Sequence, residues 1–319
     1  MLNTILLLII GFVFLIKSAD ALVDGASLLA KHFGVSNLVI GLTVVAFGTS
    51  LPELFVNISA SLQNNSSIAI SNIMGSNIIN ILLILGLSAL IFPLKVQNST
   101  IWKEIPLCLL SVFVIIVMAN DQLFGLLPMG ISGSEGILLL CFFAVFLYYS
   151  LNMGAAKSAE ENLPENISLR KSLALILIGV VGLPLGAQLT LSSAVRLATI
   201  LHVSQTIIGL TIVALGTSLP ELFTSVSAAL KRNSDIAVGN IVGSNLFNTF
   251  FILGISAIIH PIALDATINR DMLVLFISTL LFFVFMFTGG AKRLDRWEGV
   301  VFLLGYLGYL IWLIFPLFN

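Results

Sequence analysis

Two glutamates of this chain stand inside long apolar stretches, where a carboxylate needs a partner or a function. Glu53 lies in the segment GTSLPELF, and Glu221 lies in a second copy of the same eight letters. A charge within a membrane-spanning helix is costly, and such residues usually face a cavity or a binding site. Because most other carboxylates fall in predicted loops or at helix ends, these two are the first candidates for chemistry.

A proline directly before each glutamate predicts a break in the helix. Pro52 and Pro220 have no N–H to donate, so the carbonyls of Gly48 and Gly216, four residues earlier, are left free. Broken helices at membrane depth are tolerated where the freed backbone lines a polar site. The loosened turns expose the carbonyls of residues 46–49 and 214–217. Hydroxyls stand at the same level on Thr49, Ser50, Thr217 and Ser218.

The helix after each glutamate carries a polar stripe. Its members are spaced i, i+4 and i+8, so they share one face of the helix. They are Asn72, Ser76 and Asn80 in the first copy, and Asn240, Ser244 and Asn248 in the second. The small residues Gly75 and Gly243 on the same helices favour close approach of a neighbouring helix.

Together these residues offer carboxylates, carbonyls, hydroxyls and amide oxygens, but no thiolate or imidazole. Oxygen ligands suit hard cations: Ca²⁺ takes about 6–8 oxygens in flexible geometry, whereas Mg²⁺ gives up its water reluctantly. Transition metals favour imidazole and thiolate ligands. The residues therefore predict a site for a hard cation, with Ca²⁺ the better fit.

The two glutamates belong to an internal repeat. Residues 41–62 and 209–230 are identical at 16 of 22 positions, and residues 41–80 match 209–248 at 26 of 40 positions without a gap. Five predicted spans separate each helix from its repeat mate, so the second copy enters the membrane from the opposite face. Such inverted repeats bring equivalent motifs together near the bilayer centre and are typical of alternating-access transporters.

The composition predicts a membrane protein. Of 319 residues, 58% are apolar and only 9% are charged, against about 25% charged in soluble domains. The mean hydropathy is +1.12, which excludes a soluble enzyme. A net charge of −1 leaves no basic surface for nucleic acid. Cys108 and Cys141 are too few for a disulfide framework or a metal cluster.

Apolar runs bounded by polar clusters predict ten transmembrane helices. They lie near 4–30, 37–62, 67–92, 102–119, 134–151, 171–198, 206–230, 236–259, 271–288 and 297–316. The fold class expected is therefore an all-α membrane protein of two inverted five-helix repeats with broken helices at the midplane. Residues 1–151 form the first repeat, 152–170 a linker loop, and 171–319 the second repeat.

The basic residues orient these helices. Eleven of the 14 Lys and Arg residues fall in one set of loops together with 152–170, two fall on the opposite side, and Lys17 lies within the first span. The positive-inside rule then places the protein in the cell membrane, with both termini outside and the central loop in the cytoplasm. Lys17, Asp20 and Asp24 share one face of the first helix and favour a structural ion pair or helix-end anchor over an ion path. His32, His202 and His260 fall at predicted helix ends and are interpreted as interfacial.

With GTSLPE and GSNxxN paired in both halves, the chain resembles the calcium/cation antiporter superfamily, in particular its bacterial sodium/calcium exchanger branch. The resemblance covers the whole chain and implies exchange of Na⁺ for Ca²⁺ across the cell membrane. It implies that Glu53, Glu221 and the carbonyls of Thr49 and Thr217 hold Ca²⁺. Sodium would use the same glutamates together with Ala46, Ala214, Ser50, Ser218, Ser76, Ser244, Asn80 and Asn248.

The chain departs from this family pattern at two positions. Some relatives carry an aspartate at the place of Asn248, and the usual motif has glycine where this chain has Ser71. The expected partners are Na⁺, Ca²⁺ and the bilayer. We expect no nucleic acid, no obligate protein partner and no cofactor beyond the transported ions.

Three alternatives stay open from the residues alone. A cation/proton exchanger would protonate the same glutamates in place of binding sodium, although the many neutral oxygens favour Na⁺. An intramembrane hydrolase needs an acid and a base with different pKa values, and the near-identical flanks of Glu53 and Glu221 supply no asymmetry. A passive channel is less consistent with inverted repeats and broken helices than a transporter is.

Overall fold

The computed structural model describes residues 2–120, 129–155, 168–201, 214–265, 267–288 and 292–315. These residues are almost entirely helical. The helices are α1 (Leu2–Phe33), α2 (Asn37–Thr49), α3 (Leu51–Leu62), α4 (Ser66–Ile91), α5 (Thr100–Ala119), α6 (Gly133–Ala155), α7 (Leu169–Ile200), α8 (Ala214–Gly216), α9 (Leu219–Leu230), α10 (Ser234–Ile259), α11 (Ile268–Thr288) and α12 (Arg296–Ile314).

The helices confirm the prediction of a multi-pass membrane protein. By length and composition, eight helices of the described part can each cross a membrane, and the bent pair α2 and α3 makes a ninth span. The predicted span 206–230 lies partly outside the described residues, and its later part is α8 and α9. Large apolar side chains cover the outer faces of α1, α7 and α12, as expected where lipid replaces water as solvent.

Two short antiparallel ribbons tie loops together at opposite ends of the helices. β1 (Leu94–Lys95) pairs with β4 (Arg293–Leu294), and β2 (Gly130–Ile131) pairs with β3 (Ile262–Ala263). Only one spanning helix, α5, separates β1 from β2 along the chain. The two ribbons therefore mark the two ends of the bundle.

The helices α4 and α10 form the centre of the molecule and run in opposite directions. They are the most buried of the described spanning helices, with 78% and 83% of the residues in an apolar 18-residue stretch of each buried. Near the start of α4, the hydroxyl of Ser66 accepts a hydrogen bond from the backbone N–H of Ala263 in β3. Near the start of α10, Asp235 accepts one from Gln97, which lies just after β1. Each helix thus begins at a different ribbon.

Both central helices start in the same way, for a local reason. Asn65 and Asn233 cap α4 and α10 by accepting hydrogen bonds from backbone N–H groups three residues later, each at 3.2 Å. Asparagine is among the strongest N-cap residues. The residues before the caps, Asn64 and Arg232, both have φ of 57°. The left-handed turn that reverses the chain is therefore also repeated.

Several helices contain π-helical turns that hydrophobic periodicity did not predict. Three of them, Gly41–Val45, Ile79–Leu85 and Phe247–Ile252, lie in α2, α4 and α10. Such turns place one extra residue in a helix and are frequent at functional sites. Asn80 and Asn248 are each the second residue of their π-helical turn.

Candidate functional site

Both glutamates lie in the first turn of a helix, just after an interruption of the preceding helix. α2 and α3 meet at an angle of 48° around Ser50, and Glu53 follows in α3. Glu221 holds the equivalent place in α9. Each side chain is only 1% exposed. A helix N-terminus carries partial positive charge, which favours a carboxylate there, so the break predicted from the prolines also helps to hold the two acids.

The polar stripe contacts its own glutamate in both halves, as the helical spacing predicted. The hydroxyl of Ser76 donates to Oε1 of Glu53 at 3.3 Å, and that of Ser244 donates to Oε1 of Glu221 at 3.3 Å. The local geometry of the two copies is thus the same at the carboxylates. Each acid is held by a hydroxyl from the helix that follows it.

The first asparagine of each stripe donates a hydrogen bond to the backbone carbonyl of the glutamate. The amide of Asn72 donates to the backbone carbonyl of Glu53 at 3.4 Å and to Asn57 at 3.0 Å. In the second half, the amide of Asn240 donates to the backbone carbonyl of Glu221 at 3.4 Å. It also donates to the hydroxyl of Ser225 at 3.0 Å, where Ser225 is the repeat mate of Asn57.

The two halves also contact each other through the residues at the helix breaks. Ser50 donates to the carboxylate of Glu221 at 2.9 Å. Ser218, its repeat mate, donates to the hydroxyl of Ser76 at 3.2 Å, and Ser76 in turn contacts Glu53. Each glutamate is therefore held in a hydrogen-bond network to which both halves contribute.

The threonines at the breaks contact the opposite stripe. Thr49 donates to Asn240 at 3.1 Å, and Thr217 donates to Asn72 at 3.4 Å. Thr49 also shares a hydrogen bond with Ser244 at 3.4 Å. These contacts repeat across the halves, in agreement with the repeat found in the sequence.

The last asparagines of the two stripes are held by two residues that sequence reasoning missed. The amide of Asn80 donates to Oδ1 of Asn245 at 2.9 Å, and the amide of Asn248 donates to Oδ1 of Asn77 at 3.0 Å. Asn77 and Asn245 are repeat mates. Their identity in both copies of GSNxxN was the available signal, although they lie off the i, i+4, i+8 stripe.

Four oxygens of the predicted ligand residues are buried and have no hydrogen-bond partner among the described residues. They are Oε2 of Glu53, Oε2 of Glu221, Oδ1 of Asn80 and Oδ1 of Asn248. Buried polar groups are usually paired, so an unpaired one calls for an explanation. In the described part of the chain no three His, Cys, Asp or Glu residues come together, so no cluster of the kind that transition metals favour is found there. A hard cation, which takes carboxylate and amide oxygens, fits this donor set.

The carbonyl of Ala46 is already engaged in this conformation. It accepts the hydroxyl of Thr49 at 3.2 Å and the backbone N–H of Ser50 at 3.0 Å. The equivalent residue, Ala214, begins the short helix α8. A role for the Ala46 oxygen as a cation ligand therefore requires these hydrogen bonds to rearrange.

The two stripes differ in how they are covered. Asn240 is fully buried, and a Cβ built on Gly243 would lie 2.6 Å from the carbonyl oxygen of Leu42. On α4, Asn72 is only partly buried, and a Cβ on Gly75 would meet no described heavy atom within 4 Å. The α10 stripe is thus packed tightly against α2, and residues 202–213, which are equivalent to residues 34–45 of the first copy, lie outside the described residues.

Ser71, where the chain departs from the family pattern, differs in burial from the equivalent residue of the second copy. Its repeat mate, Gly239, packs so closely on α2 that a Cβ would lie 3.0 Å from the carbonyl oxygen of Leu38. Ser71 itself is exposed. A side chain is therefore accommodated in the first half at a position where the second half has room only for glycine.

The other polar residues singled out in the sequence lie away from the glutamates. Asp20 and Asp24 pair with Lys231 at the end of α9, at 3.4 Å and 2.7 Å. The two aspartates thus form an ion pair rather than an ion path, but its cation is Lys231 and not Lys17, whose side chain is exposed. Of the three histidines, His32 and His260 lie at or just beyond helix ends, and His202 lies outside the described residues.

Known proteins resemble this chain over nearly its whole length. The family described as "Sodium/calcium exchanger protein" matches residues 3–152 and 171–315. The putative antiporter CaxA of Alkalimonas amylolytica is 36% identical, with 97% of this chain and 98% of that protein covered. The sodium/calcium exchanger MaX1 of Methanosarcina acetivorans is 33% identical, with 96% and 97% covered.

A solved structure agrees with the sequence matches. The sodium–calcium exchanger NCX_Mj, in crystals soaked with Na⁺ and Sr²⁺, superposes with a TM-score of 0.82 at 36% identity, covering 96% of this chain and 97% of that one. Sequence and fold thus agree over both halves of the candidate site. The chain belongs to the sodium/calcium exchanger family of membrane cation antiporters.

Proposed function

We propose that this protein exchanges Na⁺ for Ca²⁺ across the cell membrane by alternating access. The observation that carries the proposal is the set of four buried, unpartnered oxygens, two from each half, that includes one oxygen of Glu53 and one of Glu221. Such a set is costly when empty and is stabilised by a bound cation. The names of MaX1 and NCX_Mj support sodium as the exchanged ion.

In this proposal, Ca²⁺ binds between the two glutamates. The carboxylates of Glu53 and Glu221 provide its charge balance, and Thr49 and Thr217 provide backbone carbonyls from the helix breaks. Since Ser50 crosses from one half to the carboxylate of the other, movement of one half relative to the other changes the ligands around the ion.

Sodium uses the same glutamates with neutral oxygens around them. The hydroxyls of Ser76, Ser218 and Ser244 lie in the hydrogen-bond networks of the glutamates, and the amide oxygens of Asn80 and Asn248 are buried without a partner among the described residues. The proposed additional Na⁺ ligands are Ser50, Ser218, Ser76, Ser244, Asn80, Asn248 and the carbonyls of Ala46 and Ala214. The transported ions are the only ions the proposal needs, and it includes no prosthetic cofactor or obligate protein partner.

Charge neutralisation couples the two fluxes. The empty site carries two negative charges in a low-dielectric environment, which opposes the conformational change that opens the site to the other side of the membrane. One Ca²⁺ makes the site neutral, as do two Na⁺. A load of three Na⁺, which the family resemblance implies, leaves one positive charge, so the membrane potential then affects the exchange rate. Because only loaded states cross readily, downhill movement of one ion drives the other.

We also propose that the chain folds as two inverted five-helix repeats, 1–151 and 171–319, joined by a cytoplasmic loop at 152–170. The opposed directions of α4 and α10 and the repeated contacts around the glutamates support this arrangement. The excess of basic residues in one set of loops supports placing both termini outside.

The decisive test of function is ⁴⁵Ca²⁺ uptake into proteoliposomes with and without an outward Na⁺ gradient at fixed pH. We expect uptake to require the Na⁺ gradient. A matched set of vesicles with a proton gradient and no Na⁺ tests the alternative, a Ca²⁺/H⁺ exchanger. Uptake driven by the proton gradient alone would overturn sodium coupling, and downhill Ca²⁺ flux with neither gradient would indicate a channel.

Single cysteines test the topology. After replacement of Cys108 and Cys141, a cysteine at the exposed Lys95 of β1 should react with an impermeant reagent only from the cytoplasmic side. One at the exposed Ala263 of β3 should react only from outside. Labelling of both positions from one face would contradict the inverted arrangement.

A further inference from the structure

Asn77 and Asn245 each hydrogen-bond to one of the proposed sodium ligands, Asn248 and Asn80. Both are buried, at 1% and 5% exposure. Each accepts a hydrogen bond from an asparagine of the opposite half: Asn77 from Asn248 at 3.0 Å, and Asn245 from Asn80 at 2.9 Å. The arrangement is therefore reciprocal across the two halves.

An asparagine side chain has two unlike ends, and only one of them can bind a cation. The carbonyl oxygen is an acceptor, whereas the NH₂ group only donates. The NH₂ groups of Asn80 and Asn248 donate to Asn245 and Asn77. The oxygen of each amide is buried with no partner among the described residues. The opposite orientation would direct N–H groups at the cation.

We infer that Asn77 and Asn245 are positioning residues that select the cation-binding orientation of the Asn248 and Asn80 amides. The role rests on the proposed Na⁺ exchange, since the two amides are proposed as sodium ligands. The positioning residues do not touch the ion. By accepting the NH₂ groups, they leave the oxygens for Na⁺, and so they set the affinity for sodium more than that for calcium.

Asn77 is itself held in place by a hydrogen bond, and Asn245 has no equivalent partner in the repeat. The amide of Asn77 donates to the hydroxyl of Thr249 at 3.0 Å, and Thr249 is fully buried. The repeat mate of Thr249 is Ile81, which has no hydroxyl. We therefore expect the Asn77–Asn248 pair to be the more rigidly oriented of the two.

A double-mutant cycle separates orientation from simple packing. Asn77→Leu removes the acceptor of the Asn248 amide, and we expect the Na⁺ concentration for half-maximal exchange to rise about fivefold or more, as for loss of one buried hydrogen bond. The half-saturating Ca²⁺ concentration should change less than about twofold. In an Asn248→Asp background, both oxygens of residue 248 are acceptors and need no orientation, so Asn77→Leu should have little further effect on sodium.

Two comparisons within the chain keep the test specific. In an Asn80→Asp background, Asn77→Leu should keep its full effect, because Asn80 is oriented by Asn245. Asn269→Leu breaks another reciprocal amide pair, with Asn120 between α5 and α11, and should leave the ratio of the two half-saturation values unchanged. If Asn77→Leu does not fold, Asn245→Leu with and without Asn80→Asp is the equivalent cycle.

Thermal stabilisation of the purified protein by NaCl gives a second readout that needs no transport, since a ligand bound only to the native state stabilises it. Stabilisation by Na⁺ should fall in Asn77→Leu and recover in the double variant with Asn248→Asp. An equal effect of Asn77→Leu in both backgrounds, or equal losses for Na⁺ and Ca²⁺, would overturn the positioning role alone. A wild-type protein that exchanges Ca²⁺ only for protons would overturn the proposed function and this role with it.

Discussion

The two halves of the candidate site have almost the same sequence and the same local bonds, yet they differ in how they are covered. Ser76 and Ser244 hold their glutamates at the same distance of 3.3 Å. By contrast, Asn240 is fully buried, whereas its repeat mate Asn72 is only partly buried. Local sequence therefore sets the geometry at each carboxylate, whereas the surrounding structure sets the burial of each stripe.

Alternating access, as proposed above, requires that the two halves differ in any one conformation. The unequal burial of Asn72 and Asn240 is a difference of that kind.

The largest effect should come from removing either carboxylate. We expect Glu53→Gln and Glu221→Gln each to abolish Ca²⁺ transport, with losses of about 100-fold or more, because one remaining charge leaves a buried divalent ion half neutralised. Size-exclusion profiles should show that both variants still fold. Transport like that of the wild type in either variant would exclude that glutamate from the site and break the equivalence of the halves.

A methyl group added to Gly243 should disturb the tight packing of α2 on the α10 stripe. Gly243→Ala would place Cβ 2.6 Å from a backbone oxygen of Leu42, and overpacking of this kind costs about 1–3 kcal/mol. Gly308→Ala is the control, since Gly308 is exposed on α12 and a Cβ there meets no described heavy atom within 4 Å. Melting temperatures in detergent should fall for Gly243→Ala only, and equal changes in the two variants would refute the tight packing of α2 on α10.

The serines at the helix breaks should also be unequal. Ser50 donates to the carboxylate of Glu221, whereas Ser218 donates to the neutral hydroxyl of Ser76. Hydrogen bonds to charged groups are worth about 1 kcal/mol more than neutral ones. We therefore expect Ser50→Ala to raise the half-saturating Ca²⁺ concentration about fivefold more than Ser218→Ala does. Equal shifts would mean that the crossing contact of Ser50 does not persist in the calcium-bound state.

The smallest expected effect concerns Asn248. An amide cannot take a proton near neutral pH, whereas a carboxyl can, so Asn248→Asp should change the pH dependence of exchange more than Asn248→Ala. The measurement is Na⁺-driven Ca²⁺ uptake between about pH 6 and 8 with the membrane potential clamped by K⁺ and valinomycin. Indistinguishable profiles for the wild type and Asn248→Asp would place this residue outside the ion-binding shell.

Much of this arrangement could be predicted from the sequence because it depends on short-range rules. Proline before glutamate predicted the helix breaks, the i, i+4, i+8 spacing predicted the stripes, and the repeat offset predicted that both motifs meet. The break at Ser50 and the contacts from Ser76 and Ser244 agree with these rules.

The features that could not be predicted depend on tertiary packing. Asn77 and Asn245 lie off the stripe of an ideal α-helix, and the π-helical turns that follow them have no hydrophobic signature. Lys231 is distant in sequence from Asp20 and Asp24, so only the fold identifies it as their partner. The tight packing of α2 against Gly243 likewise depends on the fold.

Locating bound Ca²⁺ in a crystal structure of this protein would test whether one cation site is shared by both halves. We expect one Ca²⁺ within about 2.3–2.6 Å of a carboxylate oxygen from Glu53 and of one from Glu221. Calcium bound by one half alone, or bound away from both glutamates, would contradict it.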